Sequence, residues 1–156
     1  MSRKTLGVAL LVAVLTAPAA SARPAPVQPV AAGPPALAVL HAWDQRRAEA
    51  WARGDPRLLR PLYTRGSVAG RNDRAMLRAW AARGLVVQDL RTQLLGVREL
   101  AHTATTWTLQ VTDRLAGGVA VGPGVRRPLP RDQATTRTLW LQLVDGAWLV
   151  AAVRAE

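Results

Sequence analysis

From Thr106 to Leu115 every second residue falls on the same face, and hydrophobic and polar residues alternate except at Asp113, which is the period of a half-buried β-strand. One face of that predicted strand carries Trp107, Leu109, Val111, Asp113 and Leu115. A single carboxylate, Asp113, therefore lies in an otherwise apolar row. This position is the strongest lead to function that the pattern offers.

Before Gly84, apolar residues recur at helical spacing and predict three helices. Asp55 followed by Pro56 indicates an N-cap and a first helical position. The predicted helices run from Ala36 to Gly54, from Asp55 to about Leu62, and from a cap at Asn72 or Asp73 to Arg83. The segment between the second and third helices has room for a turn and a very short strand.

After Gly84 the pattern becomes extended and predicts four long strands, at residues 85–97, 103–115, 134–144 and 147–154. The Asp145-Gly146 pair between the last two strands is the strongest short signal for a hairpin turn. The register of such a hairpin places Leu141 opposite Val150 and Arg137 opposite Arg154.

Residues 116–133 are rich in Gly and Pro and are predicted to form a long loop. Three arginines cluster near its end, at Arg126, Arg127 and Arg131. Loops of this length within a compact domain are functional or disordered. The segment is interpreted either as a mobile solvated loop or as a cationic flap that touches a partner.

The N-terminus has the pattern of a secretory signal peptide. Arg3 and Lys4 precede an apolar run that ends in Ala20-Ser21-Ala22, which predicts cleavage after Ala22 and an exported protein. Residues 23–35 contain five prolines and predict an extended linker to a single domain at 36–156. The absence of cysteine excludes disulfides and a lipid anchor on cysteine.

The formal net charge is +11, with twenty arginines and one lysine. Strong positive charge favours contact with polyanions, whether nucleic acid, anionic lipid or wall polymer. The arginines are spread along the chain without a nucleic-acid-binding motif, so nucleic acid is not the expected partner. His41 and His102 lack the spacing of metal ligands, and neither a metal nor another cofactor is expected.

The order of elements and the segment from Trp43 to Ser67 (WDQRRAEAWARGDPRLLRPLYTRGS) resemble the nuclear transport factor 2-like superfamily. This superfamily includes SnoaL-like and ketosteroid isomerase-like proteins, and the chain is also similar to small exported actinobacterial domains without an assigned function. The resemblance implies an α+β, cystatin-like cone. Three N-terminal helices pack in a strongly curved antiparallel sheet of four long strands and one short strand, and the sheet encloses a pocket.

The resemblance together with the strand patterns gives a set of pocket candidates. They are Tyr63, Trp80, Trp107, Asp113, Arg137, Leu139, Leu141, Trp148 and Arg154. Ketosteroid isomerase-like enzymes use an inward carboxylate as a proton shuttle with a second acid nearby, and Asp89 is the candidate for that second acid. Asp44 on the first helix is interpreted as a surface charge.

Strand pairing also predicts an Asp113–Arg137 ion pair, which would lower the pKa of Asp113 and favour a structural role over that of a base. The preferred hypothesis is therefore an exported, non-catalytic domain that binds a small molecule or docks to an envelope protein. One alternative is a SnoaL-like or isomerase-like enzyme that uses Asp113 as acid and base. Another is a basic binder of anionic envelope surfaces through the 116–133 segment. An open sheet face also allows a homodimer.

Overall fold

Three helices precede the sheet in a computed structural model that describes residues 35–156. The helices are α1 (Ala36–Arg53), a 3-10 helix (Pro56–Leu62) and α2 (Val68–Ala81). Within the described residues, no helix is long and apolar enough to cross a membrane. The predicted signal peptide and nearly all of the predicted linker lie outside the described residues.

The ends of the first two helices follow from their capping residues, as predicted. Gly54 closes α1 in the left-handed conformation, with φ of 63°. The Asp55 carboxylate then accepts a hydrogen bond from the backbone N–H of Arg57 at 2.9 Å and opens the 3-10 helix.

The start of α2 was predicted wrongly. Ser67, not Asn72 or Asp73, is the N-cap, and its hydroxyl accepts a hydrogen bond from the backbone N–H of Gly70 at 3.2 Å. Asp73 consequently lies one turn inside the helix and is almost fully buried. Ser67, Asn72 and Asp73 are all residue types that cap helices, and the helix begins at the earliest of these three.

Five antiparallel strands follow the helices. They are β1 (Val86–His102), β2 (Thr106–Gly122), β3 (Val125–Pro128), β4 (Thr135–Val144) and β5 (Ala147–Ala155). The sheet order is β1-β2-β4-β5, and the short strand β3 pairs with the C-terminal end of β2. Four register shifts interrupt the β1–β2 pairing. Such bulges bend and twist a sheet, which gives this one its curvature.

The prediction of a long loop at 116–133 is wrong for most of that segment. Strand β2 continues to Gly122 and turns through Gly124 into β3, so that only residues 129–134 connect to β4. A Cβ on Gly122 would lie 2.7 Å from the carbonyl oxygen of Gly84. Glycine therefore serves here to let two backbones approach closely inside a strand, whereas the sequence pattern suggested a loop.

The β4–β5 hairpin has the predicted turn, with positive φ at both Asp145 and Gly146. Leu141 pairs with Val150 as predicted. A bulge between Trp140 and Leu141 then shifts the rest of the register, so that Arg137 pairs with Ala155 and not with Arg154. Hydrophobic alternation gives no sign of this single extra residue.

The core lies between the helices and one face of the sheet. Trp107, Leu109 and Val111 of the predicted inner row are buried there, together with Leu59 of the 3-10 helix and Leu77 of α2. The predicted α+β fold is confirmed: three helices pack against an open, antiparallel, five-stranded sheet.

Candidate functional site

Beyond the buried part of the β2 inner row, the space between the helices and the sheet opens into a cavity of about 490 Å³. Four α1 residues at helical spacing line one side of it: Trp43, Asp44, Arg47 and Trp51. The other side is formed by Met76 and Trp80 of α2, by Val87, Leu90 and Thr92 of β1, by Asp113, Arg114 and Leu115 of β2, and by Leu129, Asp132 and Arg137.

Indole rings form fixed walls of this cavity. Trp51 packs edge-on against Trp80, with ring centroids 5.8 Å apart. Trp43 packs edge-on against Tyr63 at 5.5 Å and donates its indole N–H to the carbonyl oxygen of Leu62 at 2.9 Å. Because each ring is held by a neighbour on another element, the apolar walls are preformed.

Asp113 and Arg137 form the ion pair that the strand pairing predicted, with Nη2 of Arg137 2.6 Å from Oδ1 of Asp113. The contact is diagonal, because Arg137 pairs with Val111 across the strands and Asp113 pairs with Thr135. The same Nη2 also donates to the hydroxyl of Thr135 at 2.8 Å. Partial burial raises the pKa of Asp113 by more than the Arg137 charge lowers it, so the predicted fall in pKa is wrong.

A second acid faces the same cavity, and it is Asp44. Burial raises the pKa of Asp44 to about 6, while the nearby charge of Arg47 lowers it and that of Asp113 raises it. The sequence analysis placed Asp44 on the helix surface because charged neighbours surround it in the sequence. Its position one residue after Trp43, on the helix face that carries the indoles, is the signal that was missed.

Asp89, the predicted second acid, does not face the cavity. It is exposed and has φ of 53° at a bulge in β1, where the register against β2 shifts. A bulge reverses the face on which a strand residue lies, so alternation alone could not place this side chain.

The helices are tied together by a buried cluster centred on Asp73, which the sequence analysis treated only as a cap. Arg47 donates to both carboxylate oxygens, from Nε to Oδ2 and from Nη2 to Oδ1, each at 2.8 Å. Tyr63 donates its hydroxyl to Oδ2 at 2.8 Å, and Trp51 donates its indole N–H to Oδ1 at 3.3 Å. The cluster therefore fixes Arg47 and Trp51, two residues of the cavity wall.

The surroundings of this cluster fix the protonation states of Tyr63 and Arg47. Burial and the adjacent Asp73 charge keep the pKa of Tyr63 well above its ordinary value. Burial alone would lower the pKa of Arg47, but its hydrogen bonds to Asp73 and the Asp73 charge outweigh that effect and raise it. Tyr63 is thus a permanent hydrogen-bond donor and Arg47 a permanent cation.

The structure brings only some of the predicted pocket residues together. Trp80, Asp113 and Arg137 line the cavity. Tyr63 is buried beneath the helices, and its ring contacts Trp43. Four others pack in or against the core away from the cavity lining: Trp107, Leu139, Leu141 and Trp148. Arg154 lies over the ring of Trp140, at 5.6 Å from its centroid, on the outer face of the sheet.

Trp107 and Trp148 form an aromatic cluster of their own with His102. His102 stacks on Trp107 with ring centroids 4.5 Å apart, and Trp107 donates its indole N–H to Glu99 at 2.8 Å. Within residues 35–156, no group of three or more His, Cys, Asp or Glu side chains is arranged to hold a metal ion.

The three arginines of the predicted cationic flap are exposed. Arg126 and Arg127 belong to β3, and Arg131 lies in the short connection that follows it. Arg126 reaches the side-chain oxygen of Gln88 on β1 at 3.5 Å.

An open antiparallel sheet wrapped over helices, with a polar and aromatic cavity beneath it, is the architecture of the nuclear transport factor 2-like and cystatin-like folds. No protein-family profile matches the sequence, and no curated protein matches it either. The similarity to solved structures is therefore one of fold.

Several solved structures align with this chain at low sequence identity. The intermembrane space region of the chloroplast protein ARC6 aligns with a TM-score of 0.56 and 12% identity, covering 77% of this chain and 92% of that one. The protein Aln2 from a Streptomyces species aligns with a TM-score of 0.51 and 13% identity, covering 80% of this chain and 92% of that one. An NTF-2-like protein of unknown function from Shewanella oneidensis aligns with a TM-score of 0.49 and 14% identity, covering 76% and 97%.

Proposed function

We propose that this chain is an exported domain that binds a small molecule in the cavity beneath its sheet. The observation that carries the proposal is the composition of the cavity: preformed indole walls together with two partly buried carboxylates, Asp44 on α1 and Asp113 on β2. A volume of about 490 Å³ is in the range that holds a small organic ligand. Export is proposed from the N-terminal pattern alone.

The chemistry of the lining defines a ligand class. Trp43, Trp51 and Trp80 offer apolar faces to a flat or aliphatic body. Asp44, whose pKa is raised to about 6, is mostly ionised at neutral pH and accepts hydrogen bonds. The preferred ligand is therefore an amphiphilic molecule whose polar end carries a hydroxyl or an amine.

The contact between Asp113 and Arg137 supports a binding role for this cavity without catalysis. The Asp113 carboxylate is held by Arg137, which opposes the rise in its pKa that burial causes and fixes it as an anchor for a hydrogen-bond donor. The experiment is a thermal-shift screen of small amphiphiles, followed by calorimetry on the purified chain. A ligand of the cavity should bind Asp44→Asn at least about tenfold more weakly, because one charge-assisted hydrogen bond is lost.

Asp89→Asn is the matched control, because it removes the same charge from an exposed position outside the cavity. Ligand affinity should be unchanged in that variant. Equal losses in the two variants, or ligands that respond to neither, would contradict binding in this cavity.

A second candidate function, acid–base catalysis, is favoured by the pKa of Asp44. A carboxyl group that titrates near pH 6 is suited to take a proton from a substrate and return it at another position. In that case the base is Asp44, and Arg137 would hold the oxygen on which charge develops. In the alternative that the sequence suggested, Asp113 was the candidate for this role.

The two functions separate in a simple comparison. If the protein is an enzyme, it should convert an identified ligand into a product. The Asp44→Asn variant should then turn the ligand over at least about a hundredfold more slowly. A binding domain should return the ligand unchanged in both the parent chain and the variant.

A further inference from the structure

A second concave surface lies on the outer side of the helices, away from the cavity. It is a groove of about 820 Å³ formed by the end of the 3-10 helix, the turn after it and the exposed side of α2. Five arginines line it: Arg60, Arg65, Arg71, Arg74 and Arg78. None of its lining residues is acidic.

The charge of this groove is not neutralised within the described part of the chain. No ion pair among residues 35–156 involves any of the five arginines. The one acidic residue of α2, Asp73, points inward and is engaged by Arg47. The groove therefore presents five guanidinium groups with no carboxylate among them.

Three of the five arginines lie on one face of α2, which destabilises the helix unless an anion neutralises them. Arg71, Arg74 and Arg78 are three and four residues apart and lie on one face, where like charges repel. They cover about 10 Å along the helix axis. Arg71 is fixed by a hydrogen bond from Nη1 to the carbonyl oxygen of Gly66 at 2.7 Å, which holds its guanidinium at the groove.

We propose that this arginine groove binds a linear polyanion with closely spaced phosphate groups, of the inorganic polyphosphate type. Guanidinium groups match phosphate oxygens in geometry and charge, and a row of them suits several phosphates in succession better than one. The only aromatic lining residue is Tyr63, which is buried with its hydroxyl on Asp73. Bases of a nucleic acid thus find no exposed aromatic ring to stack on in the groove, which favours recognition of a polymer through its charge.

The test is calorimetric titration of the full chain with inorganic polyphosphate at several salt concentrations. Binding should weaken steeply as salt rises, because each neutralised phosphate releases counterions. The double variant Arg74→Gln/Arg78→Gln should bind about tenfold more weakly at low salt. It should also lower the slope of log affinity against log salt by about 1.4 to 1.8.

The matched control is Arg126→Gln/Arg127→Gln, which removes the same charge from β3, outside the groove. Its affinity should fall less than that of the groove variant at every salt concentration. At about 0.15 M salt it should stay within about twofold of the parent chain, because exposed charges more than about 8 Å away are largely screened there. Thermal unfolding of each variant verifies that it is folded.

Four results would overturn the proposal. These are no binding at low salt, equal losses in the two double variants, competition by orthophosphate as strong as that by the polymer at equal phosphate concentration, and tighter binding of a single-stranded oligonucleotide than of polyphosphate. The site is separate from the cavity, so Asp44→Asn should bind polyphosphate as the parent chain does.

Discussion

Asp73 and Asp113 each pair with an arginine on a neighbouring element, but their surroundings differ. Asp73 receives four hydrogen bonds from three side chains, and its own side chain is 6% exposed. Asp113 receives one, from Arg137, and these two side chains are 14% and 39% exposed. The hydrogen-bonding capacity of Asp73 is filled by protein donors, whereas Asp113 can accept further hydrogen bonds.

The difference shows what makes a buried acid structural or available. At Asp73 the donors come from α1 and from the end of the 3-10 helix, so the carboxylate links three helices. At Asp113 the donor is a strand neighbour and the rest of the side chain borders a cavity that Asp44 also faces. The number of fixed donors, more than burial alone, separates the two roles.

The largest effect is expected from removing the structural carboxylate. Asp73→Asn should lower the free energy of unfolding by about 3 to 5 kcal/mol, because it leaves the buried Arg47 without its counter-charge. Urea denaturation measures this loss. Glu49→Gln is the control, because it breaks an exposed ion pair with Arg53 and should cost at most about 0.5 kcal/mol. Similar losses in the two variants would show that Asp73 is not the link between the helices.

The packing that brings Asp73 to Tyr63 depends on Gly70. A Cβ at this position would lie 2.5 Å from Cγ of the Tyr63 ring, so Gly70→Ala must push α2 away from the 3-10 helix. We expect a loss of about 1 to 3 kcal/mol in urea denaturation. Gly96→Ala is the control, because its nearest neighbour, Cβ of Thr112, is 3.9 Å away. A Gly70→Ala protein as stable as the Gly96→Ala protein would refute this close approach.

Much of the fold follows from local patterns in the sequence. Gly54, Asp55 and the Asp145-Gly146 turn set element boundaries through backbone conformation, which a single residue can signal. The Asp113–Arg137 pair was also predictable, because strand pairing brings residues of adjacent strands together.

The remainder depends on tertiary packing. Nothing near Asp73 in the sequence shows that Arg47 and Tyr63 converge on it, because those contacts join positions 26 and 10 residues away. Asp44 was missed because its pKa is set by burial under the sheet, which its helix neighbours do not reveal. The β3 hairpin was missed because Gly118 and Gly122 serve close packing in a strand, whereas glycines in a sequence usually indicate a loop.

The cavity acids should make stability depend on pH in a direction opposite to that of an ordinary ion-paired carboxylate. The folded-state pKa of Asp44, about 6, lies above its ordinary value, so the folded protein binds the proton more tightly than the unfolded chain does. This contribution to stability is complete below about pH 4 and is lost as the pH rises through about 6.

The measurement compares Asp44→Asn with the parent chain by urea denaturation from pH 4 to pH 7. The variant should gain about 1 to 2 kcal/mol relative to the parent over this range, a value reduced for the partial exposure of Asp44 to water. Asp89→Asn, whose side chain is in solvent, is the control. A stability difference that does not change with pH would contradict the assignment of Asp44 as a buried acid of the cavity.

The smallest effect is expected at Asp113, and it completes the comparison with Asp73. Asp113→Asn should lower the free energy of unfolding by less than about 1 kcal/mol, because water reaches the 39% exposed side chain of Arg137 and replaces the lost partner. Urea denaturation of the Asp113→Asn and Asp73→Asn proteins under the same conditions compares the two losses directly. A loss as large as that at Asp73 would mean that Asp113 is also structural, and would remove it from the ligand site.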